Sequence, residues 1–263
     1  MSRIEKLFSD KRSRGENALI GYLTFGCPDN DAVPEIALSM EKAGLDLIEI
    51  GIPYSNPVAD GEVIRKAAEK ALSNGTKVRD VFEGIGKIRE NSEMPIVILT
   101  YFNTVFNFGI DRFFETMKEK GADGIIIPDL PLEEKDEIAD AAEINGIDII
   151  PLVTRVSNDR IKNIVADAKG FVYCVSILGV TGMREDLDAD LSDYMDEVRK
   201  YTDLPRAIGF GISNGKTAAK FKDISEGIIV GSAFVKETLE TASLEQIMSN
   251  INAKVKEIKN SLN

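Results

Sequence analysis

A glutamate inside an apolar run is the residue of this sequence best suited to acid–base chemistry. Glu49 lies in the run 45–52 with an isoleucine on either side, where an unpaired carboxylate would be costly to bury. Burial favours the protonated carboxyl group and prepares it for proton transfer. A structural ion pair is the alternative interpretation. Since the chain contains no histidine, proton transfer falls to carboxylates, tyrosines or lysines, and mechanisms with a histidine base are excluded.

Other residues at the ends of apolar runs extend this chemistry. Asp60, in the loop 53–61, supplies a second carboxylate; the alternative is that it caps a helix that begins near Glu62. Tyr173 lies in a later apolar run and Asp129 ends another. Each of these two side chains either faces a pocket or packs in the core.

Two glycine-rich segments near the end of the chain could hold a phosphate group. Gly211 lies in the segment 209–213, and Gly231 and Ser232 close the last apolar run and open a helix. Backbone amides and a helix N-terminus bind phosphate well, and glycine lets the anion approach closely. Such neutral donors would let an acidic protein hold an anion. Ordinary tight turns are the alternative.

The segment after Ser176 is long for a loop between a strand and a helix. It runs through 177–183 and a polar stretch to about Asp190, and it contains glycines that could act as hinges. A closing lid is one interpretation. An ordinary surface loop is the other.

The elements that must position these residues follow a regular pattern. Short apolar runs alternate with amphipathic stretches such as 32–43 and 161–168, which have the length of crossover helices. Eight such runs occur, at 18–25, 45–52, 95–101, 124–128, 148–153, 170–175, 205–211 and 227–231. The pattern predicts an α/β protein, a single (β/α)8 TIM barrel over residues 1–263 with extra N-terminal and C-terminal helices. An open, doubly wound sheet is the alternative. In such a barrel the active site lies at the carboxyl ends of the strands.

Composition narrows the classes of function. The formal charge is −12 over 263 residues, which argues against nucleic-acid binding because phosphate backbones are held by clustered Lys and Arg. Cys27 and Cys174 have no CxxC spacing, so neither a disulfide framework nor a thiolate metal site is predicted. No signal peptide or membrane-spanning run is visible, and we expect a cytoplasmic protein.

Several motifs together resemble the tryptophan synthase alpha chain family along nearly the whole chain. They are Glu49-Ile50-Gly51-Ile52-Pro53-Tyr54-Ser55, Val58-Ala59-Asp60-Gly61, Tyr101-Phe102-Asn103, Asp129-Leu130-Pro131, Gly179-Val180-Thr181-Gly182, Gly209-Phe210-Gly211-Ile212-Ser213 and Gly231-Ser232-Ala233. The resemblance implies a lyase of tryptophan biosynthesis that cleaves indole-3-glycerol phosphate to indole and glyceraldehyde 3-phosphate. It also implies a beta-chain partner in an alpha2beta2 assembly. Neither a metal nor an organic cofactor is required by that chemistry.

The resemblance also implies roles for particular residues. Glu49 would shuttle protons, Asp60 would hold the indole N–H, and Tyr173 would support the substrate. The implied phosphate cradle is Gly182, Gly211, Gly231 and Ser232. The positions implied around the indole are Tyr22, Leu99, Tyr101 and Asp129, and Thr181 corresponds to the lid residue that orders the catalytic aspartate.

The chain departs from the family pattern at three positions. Asn56 stands where aspartate is usual, Ile177 where arginine is usual, and Gly21 where proline is common. Two other functions remain open on the sequence alone. One is a barrel isomerase that acts on another phosphorylated intermediate, because a phosphate cradle indicates the fold and not the particular substrate. The other is a non-catalytic subunit that activates a beta chain, which would not need the Glu49 and Asp60 pair.

Overall fold

The computed structural model describes residues 1–176, 187–209 and 211–262. Within those ranges the chain forms nine β-strands and twelve α-helices. The strands are β1 (Ala18–Thr24), β2 (Leu47–Gly51), β3 (Ile96–Leu99), β4 (Gly124–Ile126), β5 (Asp148–Ile149), β6 (Leu152–Thr154), β7 (Val172–Val175), β8 (Arg206–Gly209) and β9 (Gly227–Val230). The helices are α1 (Arg3–Arg14), α2 (Ala32–Ala43), α3 (Glu62–Ser73), α4 (Val78–Arg89), α5 (Phe102–Phe108), α6 (Ile110–Lys120), α7 (Asp136–Asn145), α8 (Ile161–Val165), α9 (Leu187–Arg199), α10 (Gly215–Ala219), α11 (Ser232–Leu239) and α12 (Leu244–Leu262).

The strands form one parallel sheet, and its two end strands are consecutive in the chain. The hydrogen-bonded order is β5-β4-β3-β2-β1-β9-β8-β7-β6, so the two ends of the sheet are strands separated by only two residues. Ile150 N–H donates to Ile125 on β4, and the Pro151 carbonyl accepts from Tyr173 on β7. The segment 148–154 therefore bonds to neighbours on both sides and completes the predicted barrel.

The fifth predicted strand is interrupted. The run 148–153 was expected to be continuous, but the structure divides it into β5 and β6 around Ile150 and Pro151. Proline has no N–H to contribute to a strand ladder, which accounts for a break at this point. Nine short strands thus replace the eight predicted runs without changing the architecture.

Apolar side chains pack in two layers, one inside the barrel and one between the sheet and the helices. Alternate residues of a strand face opposite sides. On β1, Ile20 belongs to the inner cluster, while Leu19 and Leu23 belong to the cluster under the helices. Ile4 and Phe8 of α1 join the inner cluster, so the first helix closes the amino-terminal end of the barrel.

One helix boundary agrees with expectation and another differs from it. The amphipathic stretch 32–43 coincides with α2, and the Asp29 carboxylate just before it accepts the backbone N–H of residues 31 and 32. The predicted helix 161–168 ends earlier, at Val165. Among the described helices, none combines the length and apolar character needed to cross a membrane.

Candidate active site

A cavity of about 880 Å³ opens at the carboxyl ends of the strands. Its wall includes residues of β1, β2, β3, β7 and β9 and of the loops that follow β4 and β6. Eight residues singled out from the sequence line this cavity: Tyr22, Glu49, Asp60, Leu99, Tyr173, Gly211, Gly231 and Ser232. The barrel therefore brings both candidate carboxylates and the candidate phosphate-binding segments to one space.

Glu49 points into the barrel from the middle of β2. Leu47 on the same strand face packs in the inner cluster, and strand alternation places Glu49 on that face. Its side chain is 1% exposed. Within the described residues its Oε1 has no hydrogen-bond partner, and no ion pair to it is formed. The interpretation as a structural ion pair therefore has no support there. Burial raises the pKa of Glu49 to about 8, which keeps most of the carboxyl group protonated at neutral pH.

Two buried tyrosines, Tyr22 and Tyr173, line the cavity with Glu49. Tyr22 on β1 is paired in register with Glu49, and its hydroxyl lies 3.3 Å from Thr24 Oγ1. A Cβ on Gly51 would collide with the Tyr22 hydroxyl, and a Cβ on Gly209 would collide with that of Tyr173. Glycine at these two strand ends therefore makes room for the two phenols. Burial raises the pKa of both tyrosines above the usual range, so both are neutral hydrogen-bonding groups.

Asp60 lies at the mouth of the cavity, just before α3. The N-cap of α3 is Gly61, and no side chain caps the helix, so the structure does not support a capping role for Asp60. Burial raises the pKa of Asp60, and the nearby Tyr101 hydroxyl opposes that increase. The Tyr101 hydroxyl also accepts the backbone N–H of Ala59 at 3.1 Å.

The glycines near the end of the chain adopt conformations suited to anion binding. Gly211 has φ +75°, in the left-handed region that favours glycine. Gly231 is the N-cap of α11 and carries no capping side chain. Its carbonyl accepts the N–H groups of Phe234 and Val235. The amides of Ser232 and Ala233 belong to the first turn, so they have no acceptor within the helix and can donate to a ligand.

Some residues implied by the family resemblance lie elsewhere. Asp129 is exposed and accepts the backbone N–H of Phe102 at 2.9 Å, at the start of α5. Tyr101 is buried beside Asp60 and is not among the residues that line the cavity. Thr181 and Gly182, together with the rest of the expected lid up to residue 186, lie outside the described residues.

Sequence reasoning missed several residues of the cavity wall. Val175 lies two residues after Tyr173 on the same strand face, so strand alternation could have predicted its position. Ile64 on α3 and the two cations Lys135 and Arg160 also line the cavity. These three come from helices and loops whose packing leaves no local sequence signal.

Fold and site together define the class of protein: an enzyme built on a β/α barrel, with a carboxyl pair in its cavity. The family model "Tryptophan synthase alpha chain" matches residues 8–263. The chain therefore belongs to the tryptophan synthase alpha chain family, as the sequence motifs predicted.

Individual relatives agree with this assignment. A tryptophan synthase alpha chain of Caldanaerobacter subterraneus subsp. tengcongensis is 50% identical over 236 residues, which is 90% of each chain. One from Thermoanaerobacter sp. strain X514 is 46% identical over 259 residues, covering 98% of this chain and 99% of the relative.

Solved structures show the same fold. Tryptophan synthase subunit alpha from Legionella pneumophila superposes with a TM-score of 0.91 at 29% identity, covering 100% of this chain and 98% of that one. A chain of tryptophan synthase from M. tuberculosis gives a TM-score of 0.89 at 31% identity, covering all of both chains. The predicted TIM-barrel fold is confirmed.

Proposed function

We propose that this chain cleaves indole-3-glycerol phosphate to indole and glyceraldehyde 3-phosphate, with Glu49 as the proton-transfer group. The observation that carries the proposal is Oε1 of Glu49, which is buried in the wall of the cavity without a hydrogen-bond partner among the described residues. An unsatisfied buried carboxyl oxygen costs stability, so its persistence is best explained by a partner supplied by the substrate. The resulting enzyme is a carbon–carbon lyase of tryptophan biosynthesis.

Glu49 in its protonated form begins the reaction. Its carboxyl proton passes to the indole carbon that bears the glycerol chain, which converts the ring into a cationic iminium. The carboxylate then takes the proton of the adjacent glycerol hydroxyl. That oxygen forms the aldehyde C=O, the carbon–carbon bond breaks, and its electron pair returns to the ring to give indole. The two transfers restore protonated Glu49, so no other acid or base is consumed.

Asp60 stabilises the charge that appears during this sequence. An ionised carboxylate next to the indole N–H would hydrogen-bond it and attract the developing positive charge of the iminium. Tyr173 and Tyr22 would support the substrate as neutral phenols, and Leu99 would contact the aromatic ring. The phosphate would lie against Gly211 and the first turn of α11, where amides and the helix dipole stabilise an anion.

The partner and compartment follow from the same proposal. The chain would act as the alpha subunit of an alpha2beta2 tryptophan synthase, passing indole to a beta chain. We place this assembly in the cytoplasm.

Release of free indole is the direct test. The purified chain, alone and with a beta chain, is incubated with indole-3-glycerol phosphate, and indole is quantified by chromatography. Because the chain contains no tryptophan, indole fluorescence reports ligand only. Glu49→Gln should lower kcat by roughly 10²- to 10⁴-fold, the usual scale of general acid–base catalysis, with substrate binding retained.

Glu115→Gln is the matched control, since Glu115 is exposed on α6, and it should keep full activity. An active Glu49→Gln protein would refute the assignment. Stimulation of a beta chain without any indole release would instead favour the activating-subunit alternative, and a rearranged, uncleaved product would favour an isomerase.

A further inference from the structure

We propose that Tyr101 is a positioning residue, whose hydroxyl fixes the loop 53–61 and thereby holds Asp60 against the substrate. The proposal rests on the cleavage reaction proposed above. It assigns Tyr101 a role outside the cavity wall, acting through Asp60 and not by contact with the aromatic ring of the substrate.

The loop that carries Asp60 has little support of its own. Residues 52–61 form neither helix nor strand, and Val58 within the loop is 81% exposed. In the described part of the chain, the Tyr101 hydroxyl supplies the recorded hydrogen bond from the backbone of 53–60 to another element, through the N–H of Ala59. The side chain of Tyr54, in the same loop, adds a ring contact with Tyr101 and accepts from the Asn103 amide at 3.4 Å. Tyr101 therefore holds the loop through both its ring and its hydroxyl.

The Tyr101 hydroxyl has the right chemistry for both contacts. A phenolic oxygen can accept one hydrogen bond while its own O–H donates another. It accepts from Ala59 N–H at 3.1 Å, and its proximity to Asp60 opposes the effect of burial on the pKa of that carboxyl group. One side chain thus fixes the loop backbone and favours the ionised form of Asp60, which is the form the proposed reaction uses.

Tyr101 is itself firmly held. Its side chain is 2% exposed, and its ring stacks on Tyr54 with centroids 4.9 Å apart and an interplanar angle of 23°. The next residue, Phe102, donates its backbone N–H to Asp129 at 2.9 Å. Contacts to the ring and to the start of α5 therefore fix the direction of the hydroxyl.

The test is Tyr101→Phe, which keeps the stacked ring and removes the hydroxyl. We expect kcat for indole release to fall roughly 10- to 100-fold, as for a misplaced catalytic group, with KM changed less than threefold. The acid limb of the kcat profile should move to higher pH, because Asp60 loses a donor that stabilises its ionised form. The control is Tyr54→Phe, which keeps the stack and the Tyr101 hydroxyl and removes only the exposed 3.4 Å contact with Asn103. It should leave rate and pH profile unchanged.

A double-mutant cycle separates positioning from a merely structural role. If Tyr101 acts through Asp60, then Tyr101→Phe should cause no further loss of kcat in an Asp60→Asn background. An equal loss in both backgrounds, or an unmoved acid limb, would overturn the proposal. These outcomes differ from failure of the proposed function, in which the unmodified chain would release no indole.

Discussion

Buried carboxylates at the two ends of this barrel differ in the partners that they contact. At the amino-terminal end, Asp123 contacts Arg3 at 3.0 Å and Arg89 at 2.9 Å, and it also accepts the backbone N–H of Ile96. At the carboxyl-terminal end, Glu49 is more deeply buried, with 1% of its surface exposed against 6% for Asp123. Glu49 forms no ion pair within the described residues. Among the described residues, the same chemical group thus has ion-pair and hydrogen-bond partners at one end, whereas Oε1 of Glu49 has none at the other.

This contrast shows what burial alone does and does not indicate. At the amino-terminal end, Asp46 similarly contacts the ammonium groups of Lys11 and Lys259, which joins α1 and α12 to the start of β2. Ion pairs and hydrogen bonds there offset the cost of desolvation. At the other end the cost is not offset and appears as a raised pKa. Missing partners, more than burial, distinguish the proposed proton-transfer group from the structural carboxylates.

Removing the charge of Asp123 should give the largest effect on stability. Asp123→Asn leaves the buried guanidinium of Arg89 without its counter-ion, and removing one partner of a buried pair typically costs about 3–5 kcal/mol. We expect that loss in the free energy of unfolding, measured by chemical denaturation, while kcat of the folded enzyme is retained. Glu93→Gln is the control, because Glu93 pairs with Arg3 but is 83% exposed. Loss of this exposed ion pair should lower the free energy of unfolding by less than about 1 kcal/mol. An equally small loss for Asp123→Asn would contradict the comparison.

Removing the ionisable group of Glu49 should instead stabilise the protein. The folded pKa of Glu49 is about 8 against 4.5 for the free side chain, so the folded state binds more protons between these values. The contribution of Glu49 to the stability of the unmodified protein therefore falls as pH rises from 4.5 to 8 and is level above that range. Glu49→Gln lacks this penalty, so its advantage should grow between pH 5 and pH 8 by on the order of 3 kcal/mol.

Chemical denaturation of both proteins at the two pH values measures that difference. Glu115→Gln on the exposed face of α6 should show no such change with pH. An advantage for Glu49→Gln that stays constant from pH 5 to pH 8 would mean that Glu49 is ionised at neutral pH, and its assignment as the acid would fail.

The proposed phosphate site at the carboxyl-terminal end consists of backbone amides at Gly211 and in the first turn of α11. A Cβ on Gly231 would lie 3.5 Å from Tyr22 Cβ, which is ordinary contact, so the fold has room for Gly231→Ala. The added methyl group should nevertheless crowd a phosphate at the start of α11. We expect the Kd for glycerol 3-phosphate, measured by calorimetry, to rise about tenfold, or about 1.4 kcal/mol.

Gly86→Ala is the control for that substitution. Gly86 lies on α4, and its Cβ would lie 3.5 Å from Lys120 on α6. Neither residue lines the cavity, so phosphate affinity should not change. If Gly231→Ala binds glycerol 3-phosphate as well as the unmodified chain, the anion lies elsewhere.

Sequence patterns predicted the barrel and the buried position of Glu49 better than they predicted the loop contacts nearby. Glu49 was identifiable because one carboxylate interrupts an apolar run, and the barrel because such runs alternate with amphipathic stretches. The division of the fifth strand could have been inferred from Pro151. The contact of Tyr101 with the loop 53–61 could not be predicted, because it depends on how that loop packs against the residues that follow β3. Local periodicity in the sequence indicates on which face of a strand a side chain lies, whereas contacts between loops depend on the completed fold.

Asp129 provides the smallest and most discriminating prediction. The resemblance to the family implies a place near the indole, whereas the structure shows its carboxylate accepting the N–H of Phe102 at the start of α5. If capping is its whole role, Asp129→Ala should cost about 1 kcal/mol of stability, the usual value for a lost N-cap, with KM unchanged. Asp129→Asn should retain most of the cap, because an amide oxygen also accepts this hydrogen bond. A KM that rises for both variants would instead place Asp129 among the groups that contact the substrate, and the unpaired end of the barrel would then hold a third functional carboxylate.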